Sequence, residues 1–449
     1  MSNKLEWRKR IMKKRLQGIN LFLMLMLIFA FACASIVSAA GTTAGGLVPD
    51  PTVEDDPNNT VSIQKELIFI NDAASTVREP NITYTYTISA VTMPTDNPYL
   101  VTDDENTTVP VKSGVADAIT GTTAEITFVS TNTSNTSITG VTQTRYADFT
   151  FDPTEFPEPG IYRYKVVESS TSKAAVGIEE VATYNTDRYL DVYVRKAAEN
   201  SDTLVIYGYV LFENTDGNVS FNAYADPTVN LEKKSSGYVN TEDTDDGQYA
   251  NVDVYRTQDL TVTKTTTGLM ADKSNDFPVT FTFDGPEPIT ADIPVDVEIA
   301  GNGALDDIAS ADDYLTFAAG DGTFTGTVRN GSSIKFIGVP EGTEFTFVEQ
   351  NNTPDSYRVS ATALVGSDDP DDATSVLDEA VIAAGQSTSS SDAVAMSSFA
   401  TVDITNTLDA ISPTGFITRF APYVLLLVGC ILLIVLGRQA VNSTQKKDA

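Results

Sequence analysis

The chain has 449 residues and a formal net charge of −32 at neutral pH. This length predicts two or three domains, and so strong a negative charge disfavours binding to nucleic acid or anionic lipid. Because the sequence contains no histidine, it lacks the commonest general base and metal ligand. We therefore predict a protein that is not an enzyme and that has no nucleic-acid partner, metal site or cofactor.

The composition between the two ends favours strands over helices. Thr, Val, Asp, Tyr and Phe are abundant there and alternate with many turn-forming residues, which predicts an all-β fold. The two cysteines, Cys33 and Cys430, lie in apolar terminal segments. The central part of the chain therefore cannot form a disulfide, and another crosslink or a large core must stabilise it.

Residues 1–39 have the pattern of a signal peptide. Basic residues precede an apolar run from Ile19 to Phe31, and small residues at Val37-Ser38-Ala39 suit cleavage. The pattern predicts export and a helix in the signal segment. Residues 40–59 are rich in Gly, Thr, Pro, Asp and Asn, which predicts a leader loop.

A first β module is predicted over residues 60–256, and two of its strands each place a charged residue in an apolar row. Lys65 stands at the centre of the first row, and Glu168 shares a face with tyrosines after a Pro-Gly turn. The apolar neighbours in the two rows are Val61, Ile63, Leu67, Phe69, Tyr162, Tyr164 and Val166.

A second β module, predicted over residues 257–409, repeats this arrangement. Lys264 ends an apolar row on its first strand, and Glu349 ends a row that contains two phenylalanines. Asn406 stands in the core-facing row of the last strand. A single lysine or glutamate in such a position usually reaches solvent at the end of a strand. The repetition in two modules weakens that explanation.

A buried trio of lysine, glutamate and asparagine can form an amide bond. Burial disfavours charge, so the lysine becomes a neutral amine nucleophile, and the glutamate can donate a hydrogen bond to the asparagine carbonyl. Folding holds the groups close together and so promotes the reaction. Ammonia leaves and a neutral crosslink remains.

Residues 411–449 combine Pro413-Thr414-Gly415, an apolar run from Pro422 to Leu436, and a basic tail. The apolar run with its basic flank is also compatible with a simple transmembrane tether. The three parts together resemble the cell-wall sorting signal of Gram-positive surface proteins. The resemblance implies that a sortase cleaves after Thr414, with Thr414 as acyl donor, Gly415 as leaving amine and Pro413 as the kink. Proline next to threonine departs from the usual Leu-Pro-x-Thr-Gly order and leaves the sortase class open.

Four stretches resemble the Gram-positive major pilins of the streptococcal T-antigen type: EFPEPGIYRYKVVE, LTVTKTTTG, PEGTEFTFVE and DITNTLDAISPTG. Such pilins consist of two tandem Ig-like, Cna-B-related β-sandwiches with internal Lys-Asn isopeptide bonds. The resemblance implies a bond between Lys264 and Asn406, with Glu349 as catalyst. In the first module it matches Lys65 and Glu168.

The third residue of the first module departs from the pilin pattern. The family register places Asp253 where the family has asparagine. Aspartate can serve in related sandwiches, in which case water leaves in place of ammonia. Asn251 is the second candidate, and an uncrosslinked module is the third.

The resemblance further implies polymerisation through a surface lysine late in the first module, for which Lys233 and Lys234 are candidates. An equally acceptable interpretation is that both are ordinary solvated lysines in a loop. The predicted protein is a secreted, sortase-anchored pilin subunit at the Gram-positive cell wall that is inserted in the membrane before sorting. Its predicted partners are sortase, peptidoglycan or neighbouring pilin subunits, and a host surface ligand. The alternative is a wall-anchored adhesin that does not polymerise.

Overall fold

The computed structural model describes residues 42–43, 58–93, 100–102, 108–181, 186–213, 234–241, 249–308, 314–410, 423–436 and 438. These residues form two compact units. The first unit takes in the described residues up to Ile70 together with Pro80–Asn132 and Thr139–Tyr255. The second unit takes in Asn71–Glu79, Thr133–Ile138 and the described residues from Arg256 onward. Two short segments from the first half of the sequence therefore belong to the second unit.

Strands dominate both units, so the predicted all-β fold class is confirmed. In the first half of the chain the strands are β1 Thr42–Thr43, β2 Thr60–Asn71, β3 Val77–Arg78, β4 Ile82–Ala90, β5 Leu100–Thr102, β6 Thr108–Ser113, β7 Ile119–Thr120, β8 Thr123–Phe128, β9 Thr133–Ser134, β10 Val141–Phe151, β11 Gly160–Ser170, β12 Ile178–Glu180, β13 Asp187–Lys196, β14 Leu204–Glu213, β15 Lys234–Ser235 and β16 Gly237–Tyr238. In the second half they are β17 Asp253–Thr267, β18 Asp276–Asp284, β19 Ile293–Ala300, β20 Ala304–Leu305, β21 Tyr314–Phe317, β22 Gly322–Arg329, β23 Ser333–Pro340, β24 Glu344–Glu349, β25 Tyr357–Val365, β26 Thr374–Ile382, β27 Val394–Ala395 and β28 Ala400–Thr407.

Helices are short and few among the described residues. Single turns of 3-10 helix occur at Ala116–Ala118, Pro153–Glu155, Ala174–Val176 and Pro370–Asp372. A helix over residues 423–436 lies in the predicted membrane segment. None of the described helices is long and apolar enough to cross a membrane. The predicted signal helix and leader loop fall outside the described residues, apart from residues 42–43 and 58–59.

Two sheets enclose the core of the first unit. In one, β2 pairs with β10 antiparallel and with β16 in parallel. The other has the order β15-β14-β13-β11-β4-β8. The sheets face each other, because the rings of Phe69 on β2 and Phe128 on β8 are 6.4 Å apart, and those of Phe151 on β10 and Tyr164 on β11 are 5.0 Å apart.

Strand β2 is more buried than a strand with one core-facing row. Lys65 and its apolar row are fully buried, as predicted, but Ile68 and Ile70 on the other face are also buried. Val252 and Val254 cover these two isoleucines and form a small second cluster with them. The apolar row of β2 is therefore buried together with Ile68 and Ile70 at the end of the other face, whereas Gln64 and Glu66 on that face are half-buried.

The second unit is a β-sandwich with one mixed and one antiparallel sheet. The first sheet has the order β21-β19-β23-β17-β28-β25-β26, and the second has the order β20-β22-β18-β24-β27. Strand β18 shows why the sheets pack, because its alternate residues Phe277, Val279, Phe281 and Phe283 all face the core. Only β17 and β28 are paired in parallel within the first of these sheets.

Phe283 lies at the centre of an aromatic cluster in this core. It is 1% exposed, and its ring centroid is 4.7 Å from Phe317, 4.9 Å from Phe336 and 5.1 Å from Phe345. We expect Phe283→Ala to lower the free energy of unfolding by about 3–5 kcal/mol, because the cavity cannot fully collapse among rings held by two sheets. Chemical denaturation measures the loss.

The matched control for this prediction is Leu269→Ala, because Leu269 is 93% exposed. Its substitution should change the unfolding free energy by less than about 0.5 kcal/mol. Equal effects of the two substitutions would show that the aromatic cluster does not stabilise the sandwich.

Candidate crosslinking sites

The second unit brings its three predicted residues together from two sheets. Strands β17 and β28 are parallel neighbours, with Lys264 in register with Ile404 and Thr266 with Asn406. The side chains of Lys264 and Asn406 therefore face the same core, two residues apart in register. Glu349 ends strand β24 in the opposite sheet. The sandwich thus places lysine and asparagine side by side with the glutamate across from them.

Glu349 connects the other two residues of the second site. Lys264 Nζ donates a hydrogen bond to Glu349 Oε2, and Asn406 Nδ2 donates to Glu349 Oε1 at 2.6 Å. The three residues are at most 1% exposed. A charged pair and an amide thus share one dry site, in which the two carboxylate oxygens are divided between lysine and asparagine.

The burial of the second site disfavours the charged form of its amine. Burial lowers the pKa of Lys264, and the nearby Glu349 carboxylate opposes that effect only in part. The ring of Phe277 lies 4.7 Å from Lys264 Nζ. Asn406 Oδ1 is buried and has no hydrogen-bond partner among the described residues. If the amide turned by half a rotation, Oδ1 would face Glu349, where a protonated carboxyl could donate to it.

The first unit brings Lys65, Glu168 and Asp253 together. Lys65 Nζ lies 2.6 Å from Asp253 Oδ2 and 3.2 Å from Glu168 Oε2. All three side chains are fully buried. Lys65 lies on β2, Glu168 on β11 of the facing sheet, and Asp253 is the first residue of β17. The amine is thus within hydrogen-bond distance of the carboxyl group that the family register selected.

Asn251 has a different environment from Asp253. It lies in the turn before β17 with a left-handed backbone, at a φ of 60°. Its side chain is half-buried and donates a hydrogen bond to Thr241 Oγ1 at 3.3 Å. The irregular backbone breaks the strand alternation that would otherwise place Asn251 and Asp253 on one face. The geometry therefore favours Asp253 over Asn251 as the neighbour of Lys65.

Strand β17 contains residues of both sites. Asp253 begins this strand and Lys264 lies eleven positions later in it. The two residues lie in one uninterrupted strand of 15 residues.

Two residues of the first site were not predicted. Tyr86 on β4 donates a hydrogen bond from its hydroxyl to Glu168 Oε2 at 2.8 Å, and Lys173 lies 3.2 Å from Glu168 Oε1. Tyr86 could have been found from the alternating row ITYTYTIS, which predicts a strand with buried tyrosines. Lys173 has no such signal, because it follows the strand in a polar turn whose sequence resembles any exposed loop.

The sorting and polymerisation residues are only partly described. Pro413, Thr414, Gly415 and Lys233 lie outside the described residues. Lys234 begins the two-residue strand β15, in register with Phe212 at the edge of its sheet.

Cys430, which lies in the C-terminal helix, is exposed and unpaired. No group of metal-ligating side chains able to hold an ion occurs in the described part of the chain.

The hydroxyl of Tyr86 provides a test of the first site that does not depend on covalent chemistry. Burial and the Glu168 carboxylate both raise the pKa of Tyr86, so the hydroxyl remains a donor at neutral pH. We expect Tyr86→Phe to lower the free energy of unfolding by about 1.5–3 kcal/mol, the usual loss for a buried hydrogen bond to a charged group. Urea denaturation at neutral pH measures it.

Tyr255→Phe is the control for Tyr86→Phe. Tyr255 is 1% exposed, but its hydroxyl has no hydrogen-bond partner among the described residues. Removal of that hydroxyl should leave stability unchanged or slightly increased. A loss as large as that of Tyr86→Phe would contradict the assignment of the Tyr86 hydroxyl to Glu168.

Comparisons with known proteins agree with the resemblance seen in the motifs. A family model described as a domain of unknown function (DUF7601) matches residues 258–392. A pilin from Streptococcus pyogenes serotype M1 is 25% identical over 305 residues, which is 66% of this chain and 74% of that protein. The crystal structure of the major pilin from S. pyogenes is 19% identical with a TM-score of 0.36, and covers 78% of this chain and 99% of its own. The major pilin T3.2 of the same species is 16% identical with a TM-score of 0.35 and the same two coverages. The chain is therefore similar in sequence to a streptococcal pilin, and the predicted resemblance is confirmed.

Proposed function

We propose that this protein is a sortase-anchored subunit of a Gram-positive surface pilus, stabilised by one isopeptide bond in each unit. The observation that supports this proposal most strongly is the pair of buried lysine sites, each of which places an amine, a glutamate and an acceptor side chain in one dry core. A lysine buried away from solvent is costly even when a carboxylate pairs with it. Conversion to an amide removes that cost.

In the second unit the reaction joins Lys264 Nζ to Asn406 Cγ. The Lys264 ammonium first gives a proton to the Glu349 carboxylate that accepts its hydrogen bond. The neutral amine then attacks Asn406 Cγ, the bond from Cγ to Nδ2 breaks, and the nitrogen leaves as ammonia. Glu349 retains the remaining proton. The contact between Glu349 and Asn406 Nδ2 also provides a path for a proton to the leaving group.

In the first unit the reaction joins Lys65 Nζ to Asp253 Cγ. The Lys65 ammonium and the Asp253 carboxylate, whose atoms lie 2.6 Å apart, condense to an amide and one water. The two opposite charges disappear together, so no net proton is released or taken up. Glu168 is close enough to relay the proton, because its Oε2 is 3.2 Å from Lys65 Nζ.

Each bond would close a long loop. Lys65 and Asp253 are 188 residues apart in sequence, and the Lys264–Asn406 loop is of comparable size. By the loop-entropy relation used for disulfides, each crosslink would add on the order of 5 kcal/mol to stability. In the second unit the bond joins β17 to the last strand, β28, which lie side by side. Tension on the two ends of this unit would then pass through a covalent bond rather than through the sheet hydrogen bonds.

Export and anchoring would follow from the terminal segments. The signal peptide directs secretion, the apolar C-terminal segment holds the chain in the membrane before sorting, and sortase transfers Thr414 to peptidoglycan or to a neighbouring subunit. Lys233 or Lys234 would provide the acceptor amine for polymerisation. Attachment to a host surface ligand is a further role of such a fibre. Internal crosslinking is a single event in each unit, so the protein is not an enzyme that turns over.

Intact-mass analysis of the secreted protein tests the two crosslinks. We expect the wild-type mass to fall short of the sequence mass by one ammonia and one water. Glu349→Ala should abolish the mass loss of one ammonia, because Lys264 then loses its proton acceptor. Glu168→Ala should abolish the mass loss of one water. Peptide mapping should identify Lys264–Asn406 and Lys65–Asp253 as the joined pairs.

Glu344→Ala is the matched control, because Glu344 is exposed on the same strand as Glu349. It should leave both mass losses intact. A wild-type mass equal to that of the unmodified sequence would overturn the crosslinks in both units.

Polymerisation is tested on wall extracts separated under denaturing conditions. If the protein forms a pilus shaft, wild-type extracts should give a ladder that disappears in a sortase mutant and in the double variant Lys233→Arg and Lys234→Arg. Arginine keeps the charge but is not an amine nucleophile at neutral pH. Thr414→Ala should prevent both the ladder and wall attachment.

Lys196→Arg is the control for the double variant, because Lys196 is an exposed lysine of the same unit. It should leave the ladder unchanged. A single wall-linked species in the wild type would exclude the shaft and favour the alternative, a surface adhesin that does not polymerise.

A further inference from the structure

The first site contains a second lysine that has no counterpart among the described neighbours of the second site. Lys173 lies in the turn after β11 and directly precedes the 3-10 helix Ala174–Val176. Its Nζ is 3.1 Å from Asp253 Oδ1, 3.2 Å from Glu168 Oε1 and 2.8 Å from Glu180 Oε2. The side chain is only 10% exposed. Its ammonium group therefore contacts both carboxylates of the proposed crosslinking site.

The two sites differ by one negative and one positive charge. In the second site, the Lys264 ammonium faces the Glu349 carboxylate, and the acceptor Asn406 is neutral. In the first site the acceptor is Asp253, which adds a negative charge to a fully buried group. A buried charge without compensation is strongly destabilising. Lys173 supplies the compensating positive charge.

The position of Lys173 also suits the chemistry of an aspartate acceptor. The two carboxyl oxygens of Asp253 are divided between two lysines, with Oδ2 at Lys65 and Oδ1 at Lys173. When Lys65 Nζ attacks Asp253 Cγ, negative charge develops on the oxygen that does not leave. The Lys173 ammonium, 3.1 Å from Oδ1, is in the position of an oxyanion donor.

Three carboxylates within 3.2 Å of its Nζ favour the ammonium form of Lys173. Although burial by itself lowers the pKa of Lys173, the charges of Glu168, Asp253 and Glu180 outweigh it and raise that pKa above its ordinary value. Lys173 is therefore a fixed cation rather than a second nucleophile. After condensation, the Lys173 ammonium remains beside the buried Glu168 carboxylate and the half-exposed Glu180 carboxylate. An opening lined by Glu168, Lys173, Ile178 and Thr186 lies beside the site and provides an exit for the water.

We propose that Lys173 is a further catalytic residue of the first site, one that balances the charge of Asp253 and stabilises the oxyanion formed when Lys65 attacks it. This inference rests on the proposed crosslink between Lys65 and Asp253. The bond formed is from Lys65 Nζ to Asp253 Cγ, the bond broken is from Cγ to Oδ2, and Oδ2 leaves as water with two protons from the Lys65 ammonium. Lys173 neither gains nor loses a proton.

The test follows formation of the first crosslink in the whole secreted protein by intact mass and peptide mapping, as a function of time after synthesis. Lys173→Met removes the charge and keeps the length of the side chain. We expect it to slow the loss of water by about 10²–10³-fold, as for removal of one oxyanion donor. Lys173→Arg keeps the charge and should restore much of the rate.

A double variant tests charge balance separately from folding. Lys173→Met together with Asp253→Asn removes both added charges and gives the first site the composition of the second. We expect this variant to form a bond from Lys65 to residue 253 with loss of ammonia. Lys112→Met is the control, since Lys112 pairs with the exposed Glu158 in the same unit. It should not change the rate.

The outcomes separate this inference from the proposed function. If Lys173→Met crosslinks as fast as the wild type, if Lys173 itself is found joined to Asp253, or if the double variant forms no bond, the role of Lys173 is overturned while the wild-type crosslinks stand. If the wild type has the bond in the second unit but none in the first, the inference also falls and the proposal for the second unit remains. If the wild type has neither bond, the proposed crosslinking itself is overturned.

Discussion

The burial of a lysine amine against a carboxylate is the interaction on which both units depend. Transfer of an ammonium group into a dry core is expensive, and a single ion pair returns only part of that cost. In each unit the lysine lies on a strand that enters the core, and the glutamate reaches it from the facing sheet. The two sheets are thus connected through a polar contact at a place where sandwiches ordinarily have apolar side chains. Packing alone does not explain such a contact. Amide formation by the lysine, as proposed, would remove its charge and so explain it.

The two proposed crosslinking sites differ in the residue that would accept the lysine. Asn406 is neutral, so Lys264 and Glu349 balance each other and burial can lower the pKa of Lys264. Asp253 is an acid, so the first site needs a second cation, and Lys173 occupies that position. The aspartate that departs from the pilin pattern is therefore accompanied by a change in its neighbours. Asp253 and Lys173, which lie 80 residues apart in sequence, are thus neighbours in the folded chain.

Similarity to streptococcal pilins and the geometry of the sites contribute to the proposed function in different ways. The similarity in sequence extends over 66% of the chain and says nothing about which side chains meet. The geometry identifies those side chains and the atoms between which bonds could form, but by itself it would fit any exported protein that experiences mechanical load. In the proposed function the terminal segments connect the two, because they would export the chain and attach it to the wall, where it would experience tension.

The sequence by itself determined the all-β class, because alternation of apolar and polar residues is a local property of each strand. It also identified Lys65, Glu168, Lys264, Glu349 and Asn406, since each breaks an apolar row that can be read along one strand. The choice between Asn251 and Asp253 required the left-handed turn at Asn251, which only the backbone reveals. Pairing between distant segments decides that Asp253 and Lys264 share the single strand β17 and that residues 71–79 belong to the second unit. Lys173 could not be predicted, because a lysine in a polar turn is ordinary in sequence. Only the folded chain brings its ammonium to within 3.1 Å of Asp253.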